Sequence, residues 1–598
     1  MNALFSLLRF GFDGCYGGFG GDGKERNCRP NRNWGSLTFL PDKNNESSDK
    51  IVDELATLMT AGRLNAESRA IAKTIYEETD ASYANPLVKV QQLIASSAEF
   101  HSTGLVRLSG QDRPKISLTK KAYGIDKDYK ATIFLMLSGG YDSWNMLVPH
   151  KCSRRKGKDE SIRDQYESER GVLAFLESER KLVIKVDPKK QKLEQPCEEF
   201  AVHDELTILK ELYDDGDLAF FANTGVLNKP VTRKNFIKNT KTQLFAHNAM
   251  RKEAKRVDPY QVRPDTGVLG RILDVLATKD IPGGVSLGAK YQVSSTTIDR
   301  PPLAVRGGAG KGHDPIILSR NGPSLFNPAS EKGDDWDLTE DINDIHAATT
   351  AKSNLYGDLW SDKFTKAVHV AEQLKTILDN ARYKIPLFDK KGGEDKIIGM
   401  VTRVIQSRQD RGVNRDVIYT EISGWDHHRN MKEDIRKKFK KLNSVLTHFV
   451  KEMKAQGVWN DVTLMVCSDF GRTMTPNSNK GADHAWGGHY FMLGGGVAGG
   501  KIHGQYPSDI SKSSPLNIGR GRGRMIPTVS WDSIWNGIAE HMGVEGDAEL
   551  DMVVPNRKKS GADLFTKDEL FEDGKQKKKN SNYDKRRSLL HVRHRRLR

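Results

Sequence analysis

The hydrophobic positions of this 598-residue chain follow two rhythms. Short unbroken apolar runs, Ala131–Leu137 (ATIFLML), Leu218–Ala222 (LAFFA), Val417–Ile422 (VIYTEI) and Val462–Cys467 (VTLMVC), lack the alternation of a half-exposed strand. Runs of this length predict strands buried on both faces, as in a parallel sheet covered by helices. Elsewhere apolar residues recur every three or four positions. Met431–Met453 places Ile435, Phe439, Leu442, Val445, Leu446, Phe449, Val450 and Met453 on one stripe, with Lys and Arg opposite. That spacing predicts a long amphipathic helix. Further helices are expected over His203–Tyr213, Phe364–Leu378 and Trp531–Met542, the last closed by Gly543. The long helix joins the run ending at Ile422 to the run ending at Cys467, so a β–α–β crossover with parallel neighbouring strands is expected.

Ahead of these runs, residues 48–104 read as three short helices, with Ile51, Leu55, Leu58 and Met59 on the first, Ile71, Ile75 and Tyr76 on the second, and Val90, Leu93 and Ile94 on the third. Three such helices make a marginal core and are expected to dock onto something else. Residues 1–47 are rich in Gly and Asn without periodicity and predict disorder. The main α/β domain is placed at 128–558, with a charged surface insertion in 151–199 and a loop-rich stretch at 280–335. The GGAGKGH of that stretch lacks the spacing of a phosphate-binding loop. Residues 570–598 form an expected disordered basic tail. Lys575–Arg598 holds five Lys and six Arg against Asp584 alone, so its 24 residues carry +10 of the formal +16. A polyanion contact through this tail is one reading, and a solvated tail the other.

No apolar stretch approaches the roughly 20 residues of a membrane span. The N-terminal MNALFSLLRFGFDG is interrupted by Arg9 and shows no small-residue cleavage site, so neither a signal peptide nor a transmembrane segment is read and the chain is expected to be soluble. Five cysteines without a CxxC pair argue against a disulfide scaffold. Cys15 and Cys28 flank a Gly-rich loop and are placed to pair in an oxidising compartment, while Cys467 reads as packing.

The candidate chemistry sits where the buried runs end. Gly139-Gly140-Tyr141-Asp142, Gly424-Trp425-Asp426-His427-His428 and Ser468-Asp469 each follow a predicted strand. Ligands of open α/β sheets bind at the carboxyl ends of the strands, so Asp142, Asp426, His428 and Asp469 are expected on one rim. Asp483-His484 and His489 add donors from a Gly-rich loop. Imidazoles suit zinc, and carboxylates suit magnesium, manganese or calcium as well, so a divalent metal site is expected at Asp142, Asp426, His428, Asp469, His484 and His489. Arg472, three residues past Asp469, is placed to fork onto a phosphate or sulfate oxyanion. Ser143 is either a nucleophile without a neighbouring base or a turn hydroxyl. His203, His247, His313 and His346 are weaker candidates. His247, in LFAHN, is read as a structural histidine beside the pocket.

Taken in order, FLMLSGGYDSWNMLVPH, EISGWDHHRNM, SDFGRTMTPN, GADHAWGGHYFMLGGGVAGGKIHGQYP and GRGRMIPTVSWDSI resemble the family called domain of unknown function 1501, across about Ala131 to Pro555. The resemblance implies an alkaline phosphatase/sulfatase-like superfamily fold, a doubly wound, mostly parallel α/β sheet with a metal site at the strand ends. On it, Asp142 stands near the first-strand acid, Asp426 and His428 match one metal's set, Asp469 an acid of the other, and His484 or His489 the late histidine. Two departures appear: Phe470 stands where the superfamily commonly has His, and Ser143 does not align firmly with its nucleophile. VDELATLMTAGRLNAES and VQQLIASSAEFHSTG resemble the C-terminal end of the domain of unknown function 1800 family, which implies association with a protein of that family. The leading expectation is a metal-dependent hydrolase of a small-molecule or polymeric anionic ester. The alternative is a non-catalytic binding protein with a degenerate form of the same fold.

Overall fold

The computed structural model describes residues 47–81, 85–102, 129–154, 160–179, 181–263, 266–278, 338–347, 354–385, 394–411, 413–518 and 522–572, with short pieces at 4–5, 7–8, 39, 41, 111–113, 304–306, 317–319 and 322–323. Most of the 1–47 segment, most of the 280–335 stretch with its GGAGKGH, Cys15, Cys28, His313 and the basic tail lie outside the described residues. The chain is mixed α/β and divides into two compact units, one of residues 1–129 and 277–421, the other of 130–276 and 422–598.

In the second unit the apolar runs become strands: β1 (Lys130–Ser138), β2 (Leu218–Gly225), β4 (Val462–Ser468), β5 (Gly488–Leu493), β6 (Lys501–His503) and β7 (Val529–Ser530), with β3 (Arg415–Ser423) leading the chain into this unit. β2, β4 and β5 are buried at every position, which explains why none alternates. The strands run in the order β6-β2-β5-β4-β1, with β7 also on β2. β1 and β4 pair in parallel from Ala131↔Val462 to Leu137↔Ser468, and β6 and β7 are parallel to β2. β5 is antiparallel to both neighbours. The parallel partner of β4 is therefore β1, not the strand to which the long helix joins it. That connection, α2 (Met431–Ala455), buries Ile435, Phe439, Leu442, Val445, Leu446, Phe449, Val450 and Met453, the stripe read from sequence. α3 (Trp531–Met542) sets Trp535 edge-on against Phe134 of β1, with centroids 5.3 Å apart.

The charged stretch after β1 folds into a three-stranded antiparallel sheet of Leu147–Cys152, Leu182–Lys185 and Cys197–Val202. A Cys152–Cys197 disulfide joins its first and last strands, a bridge that the cysteine spacing did not suggest. Cys467 is free and buried. His203 lies just past the third strand, and the helix expected from it begins at Thr207 and ends at Asp215.

In the first unit, helices Ser48–Thr60, Ala66–Glu78 and Pro86–Ser96 share one core with Leu338, Ile342, Ile345 and Val368. Those last four come from helices Thr339–Ala347 and Leu355–Asn380 and the residue before the first of them. β3 pairs in parallel with Ala304–Arg306, which pairs in parallel with Ile317–Ser319. His346 is buried and hydrogen-bonds Ser361 there, far in sequence from any other donor cluster. Among the described residues, no helix is long and apolar enough to cross a membrane.

Candidate metal site

Three loops of the second unit, after β1, after β3 and after β4, are locked together by buried neighbours of the polar residues. Trp425 is buried against Tyr141 and against Phe439 of α2 and donates its backbone N–H to Ser138, which leaves the adjacent Asp426 facing outward. Gly139 has φ +125°, and a Cβ there would stand 2.6 Å from the Asp426 nitrogen, so the first loop can pass the second only as glycine. The third loop zips onto the Asp483–Gly487 segment. Gly471 exchanges backbone hydrogen bonds with Trp486 and Ala485, and Thr473 donates to Asp483. Ala482, buried with Leu173 and Met431, and Trp486, whose indole donates to the Val226 carbonyl, pin the segment on either side of Asp483-His484.

Arg472 is the clamp of this assembly. Its fully buried guanidinium donates to the carbonyls of Gly139, Gly140 and Ala482 and to the Asp426 carboxylate. Every loop of the rim is thereby held by one side chain, and the expected anion-binding fork is already occupied by protein acceptors.

Four side chains face one another on this frame. The His428 and His484 Nε2 atoms are 2.9 Å apart, and the His247 and His484 Nε2 atoms 3.1 Å apart. The Asp426 Oδ1 atom is 2.9 Å from His428 Nε2 and 3.4 Å from His484 Nε2, and its Oδ2 is 3.5 Å from His247 Nε2. Ligand atoms of His247, Asp426 and His484 all lie within 4.8 Å of one another. The outer nitrogen of each imidazole meets an acceptor. His484 Nδ1 is 2.8 Å from the Phe245 carbonyl, His247 Nδ1 2.7 Å from the Asp469 carboxylate, and His428 Nδ1 3.3 Å from the Asp483 carboxylate.

These partners decide the tautomers. A carbonyl only accepts, so His484 carries its proton on Nδ1, and the Asp469 carboxylate places that of His247 likewise, while His428 has a carboxylate at each ring nitrogen, Asp426 at 2.9 Å from Nε2 and Asp483 at 3.3 Å from Nδ1. The Nε2 lone pairs of His247 and His484 then face each other at 3.1 Å, with His428 Nε2 2.9 Å from that of His484, and the two lone pairs repel unless a cation or a proton stands between them. Burial pulls the His484 imidazole below its ordinary value against the pull of the Phe245 carbonyl, and nearby Arg472 and His247 add to the lowering. A proton is thus a poor occupant there. Burial also works to raise the Asp426 carboxyl, but the hydrogen bond and charge of Arg472 outweigh it and keep the carboxylate charged. Three imidazoles and one carboxylate, each imidazole backed by an acceptor, are a donor set that suits a divalent transition metal such as zinc.

The six expected ligands meet different fates. Asp426, His428 and His484 stand in the cluster. Asp469 stands one layer behind, its carboxylate on His247 rather than on the shared point. Asp142 is fully buried and paired with the equally buried Arg170, because its turn directs it under the sheet rim instead of onto it. His489 is fully buried, stacked on Tyr506 at 4.5 Å, and its Nδ1 accepts from the Asn223 backbone, so it belongs to the core of β5. Ser143 is fully buried too, its hydroxyl accepting the His489 N–H at 2.9 Å. The fourth imidazole expected as structural, His247, is the one that joins the cluster. It opens helix α1 (His247–Arg256), a position marked by no strand end, and Phe245, two residues before it, holds φ +65°. That left-handed backbone, uncommon for a bulky residue, aims the Phe245 carbonyl at His484. Phe470 lays its ring 4.8 Å from His247 and 4.7 Å from His484, centroid to centroid, and gives the cluster an apolar wall.

Residues 322–517 match the family described as Protein of unknown function (DUF1501), the family that the sequence motifs resemble. Among curated proteins, none matches this sequence. Among solved structures, the chain is similar to the lipoteichoic acid synthase LtaP from Listeria monocytogenes, at 8% identity over 72% of this chain and 79% of that one, with a TM-score of 0.25. It is also similar to a Bacteroides thetaiotaomicron protein described under the metabolism of multiple glycosaminoglycans by a versatile core genetic locus, at 9% identity over 75% of this chain and 78% of that one, with a TM-score of 0.28.

Proposed function

We propose that this protein is a divalent-metal-dependent hydrolase of phosphate or sulfate esters on a doubly wound, alkaline phosphatase-like fold, with the ion held by His247, His428, His484 and Asp426. The approach of the His247 and His428 Nε2 atoms and the Asp426 carboxylate to His484 Nε2, with an acceptor on each imidazole Nδ1, carries this reading. Asp426 and His428 are about two-fifths exposed, so one side of the cluster opens to solvent and to a substrate. An ion bound there would polarise an ester oxygen and lower the pKa of its water. Asp469, Asp483 and the Phe245 carbonyl orient the imidazoles, Arg472 holds Asp426 charged and in place, and Phe470 keeps water from one wall. Since ligand atoms of His247, Asp426 and His484 lie within 4.8 Å of one another and Phe470 walls that flank, we read a single ion rather than a pair. Zinc fits the donor set best, with manganese next and magnesium or calcium least.

A second reading has an observation in its favour. Ser143 is sealed in the core and Asp142 is committed to Arg170, so the serine expected as nucleophile does not stand beside the cluster. A metal-bearing binding protein for an anionic polymer would need none. Contact with polyanions through the basic tail, and association with a protein of the domain of unknown function 1800 family, stand as proposals beside it.

Plasma mass spectrometry on the purified chain and on an Asp426→Ala/His428→Ala variant tests the site. Stoichiometric metal in the parent, lost from the variant, is expected, and metal retained by the variant would sink the assignment. Turnover of p-nitrophenyl phosphate or sulfate by the metal-loaded chain then supports the hydrolase. Bound metal without turnover of either ester moves the protein to the second reading.

A further inference from the structure

An ester anion arriving at the cluster needs a cation it can reach, and Arg472 is fully buried with each of its nitrogens donating to a protein acceptor. Two other arginines lie against the ligand-bearing segments. Arg524 donates its Nε–H to the His484 carbonyl at 2.8 Å, and its guanidinium carbon sits 4.3 Å from the centroid of the Phe245 ring. One side chain thus rests on the residue that carries one ligand and on the residue whose carbonyl orients it. Its two terminal nitrogens have no acceptor among the described residues. Arg522, more than half exposed, reaches Asp483 Oδ2 at 3.3 Å.

The local charge does not balance. Asp483 is the carboxylate nearest the pair, and it already accepts from Asn477 and faces His428. Burial and the neighbouring Arg522 both pull Arg524 below its ordinary value, against the weaker help of Asp483. Two guanidiniums are therefore held together beside the cluster with one shared carboxylate between them. A guanidinium with free parallel N–H groups is suited to two oxygens of a phosphate or sulfate.

We infer that Arg524, with Arg522 beside it, receives the anionic group of the substrate, the part that sequence position alone would give to Arg472. The inference rests on the ester-hydrolase reading for its substrate, but the anion contact can be measured without turnover. It also predicts a preference for substrates whose ester carries a full negative charge over neutral esters of the same leaving group.

Isothermal titration with inorganic phosphate and with sulfate, on the full chain both metal-loaded and metal-free, tests it. Arg524→Gln is expected to weaken phosphate binding about tenfold, the equivalent of one charge-assisted hydrogen bond. Arg522→Gln should weaken it less, and Arg524→Lys should keep part of the affinity. Metal content and melting temperature of each variant report separately on the site and on folding. Unchanged phosphate affinity in both glutamine variants overturns the inference, as does an absence of phosphate and sulfate binding to either form of the parent. Arginine-dependent phosphate binding by a chain that holds no metal would sustain the inference while removing the metal-dependent reading.

Discussion

At the scale of single residues, what separates His247 from His489 is the direction of the ring nitrogens. Both are histidines near the rim. His247 offers Nε2 to the cluster and gives Nδ1 to Asp469, whereas His489 is stacked face to face on Tyr506 and accepts a backbone N–H. Replacement of His247 by Ala is expected to remove bound metal while leaving most of the stability in place, because its side chain is about a third exposed. Replacement of His489 by Ala should keep the metal and cost about 2 kcal/mol or more, since it opens a cavity in a dry core. Metal analysis and a guanidinium titration of the two variants, compared side by side, check this pair, and the reverse pattern would reassign the ligand set.

Among the elements, the short antiparallel sheet after β1 is the one least secured by packing. Its burial falls off at Lys151 and Cys152, and Leu182–Lys185 has one fully buried position. The Cys152–Cys197 bridge closes a loop with a sequence separation of 45 residues. Loss of such a closure raises the entropy of the unfolded chain, so Cys197→Ser should lower stability by about 2–4 kcal/mol. Metal content should be unchanged, because no ligand comes from this sheet. Chemical denaturation of the parent under oxidising and reducing conditions provides the control: the difference seen for the variant should vanish when both are reduced.

For the molecule as a whole, two buried carboxyls away from the rim contribute a fall in stability with rising pH. Burial, reinforced by the nearby Glu253, pushes Asp532 up to about 8, and burial pushes Glu253 up to about 7 against the attraction of Arg256. In the unfolded chain both titrate near 4. Between those values these two groups hold more protons in the native state than in the unfolded state, so their contribution to stability falls as pH rises from about 4.5 through 8. Buried His346 and His427, lowered to about 4, and His489 and His503, lowered to about 3, act in the opposite sense up to about pH 6.5. The test is therefore a difference: between pH 5.5 and 8.5 the melting temperature of the parent should decline relative to that of Asp532→Asn, which retains a neutral side chain. An equal or steeper decline in that variant would show the carboxyl to be ionised in the native state.

How far the sequence reaches follows from the range of the forces it encodes. Strands β1, β2, β3 and β4 and helix α2 are legible because continuous or periodic apolar residues bury the same faces wherever they dock, and the strand-end turns are legible from their glycines. Asp426, His428 and His484 were therefore findable, as residues on loops beside buried anchors. The directions of Asp142, Ser143 and His489 were not, since a turn residue points into or out of the core according to neighbours that arrive from elsewhere in the chain. Arg170 captured Asp142, and Tyr506 captured His489. His247 carries no local mark of its role because its partners, Asp469, Asp426 and His484, lie more than 170 residues away along the chain. Local pattern determined which segments are buried and where polar loops begin. Tertiary packing decided which side chains share a point in space, because hydrogen bonds and charge act over a few ångströms and take no account of sequence distance.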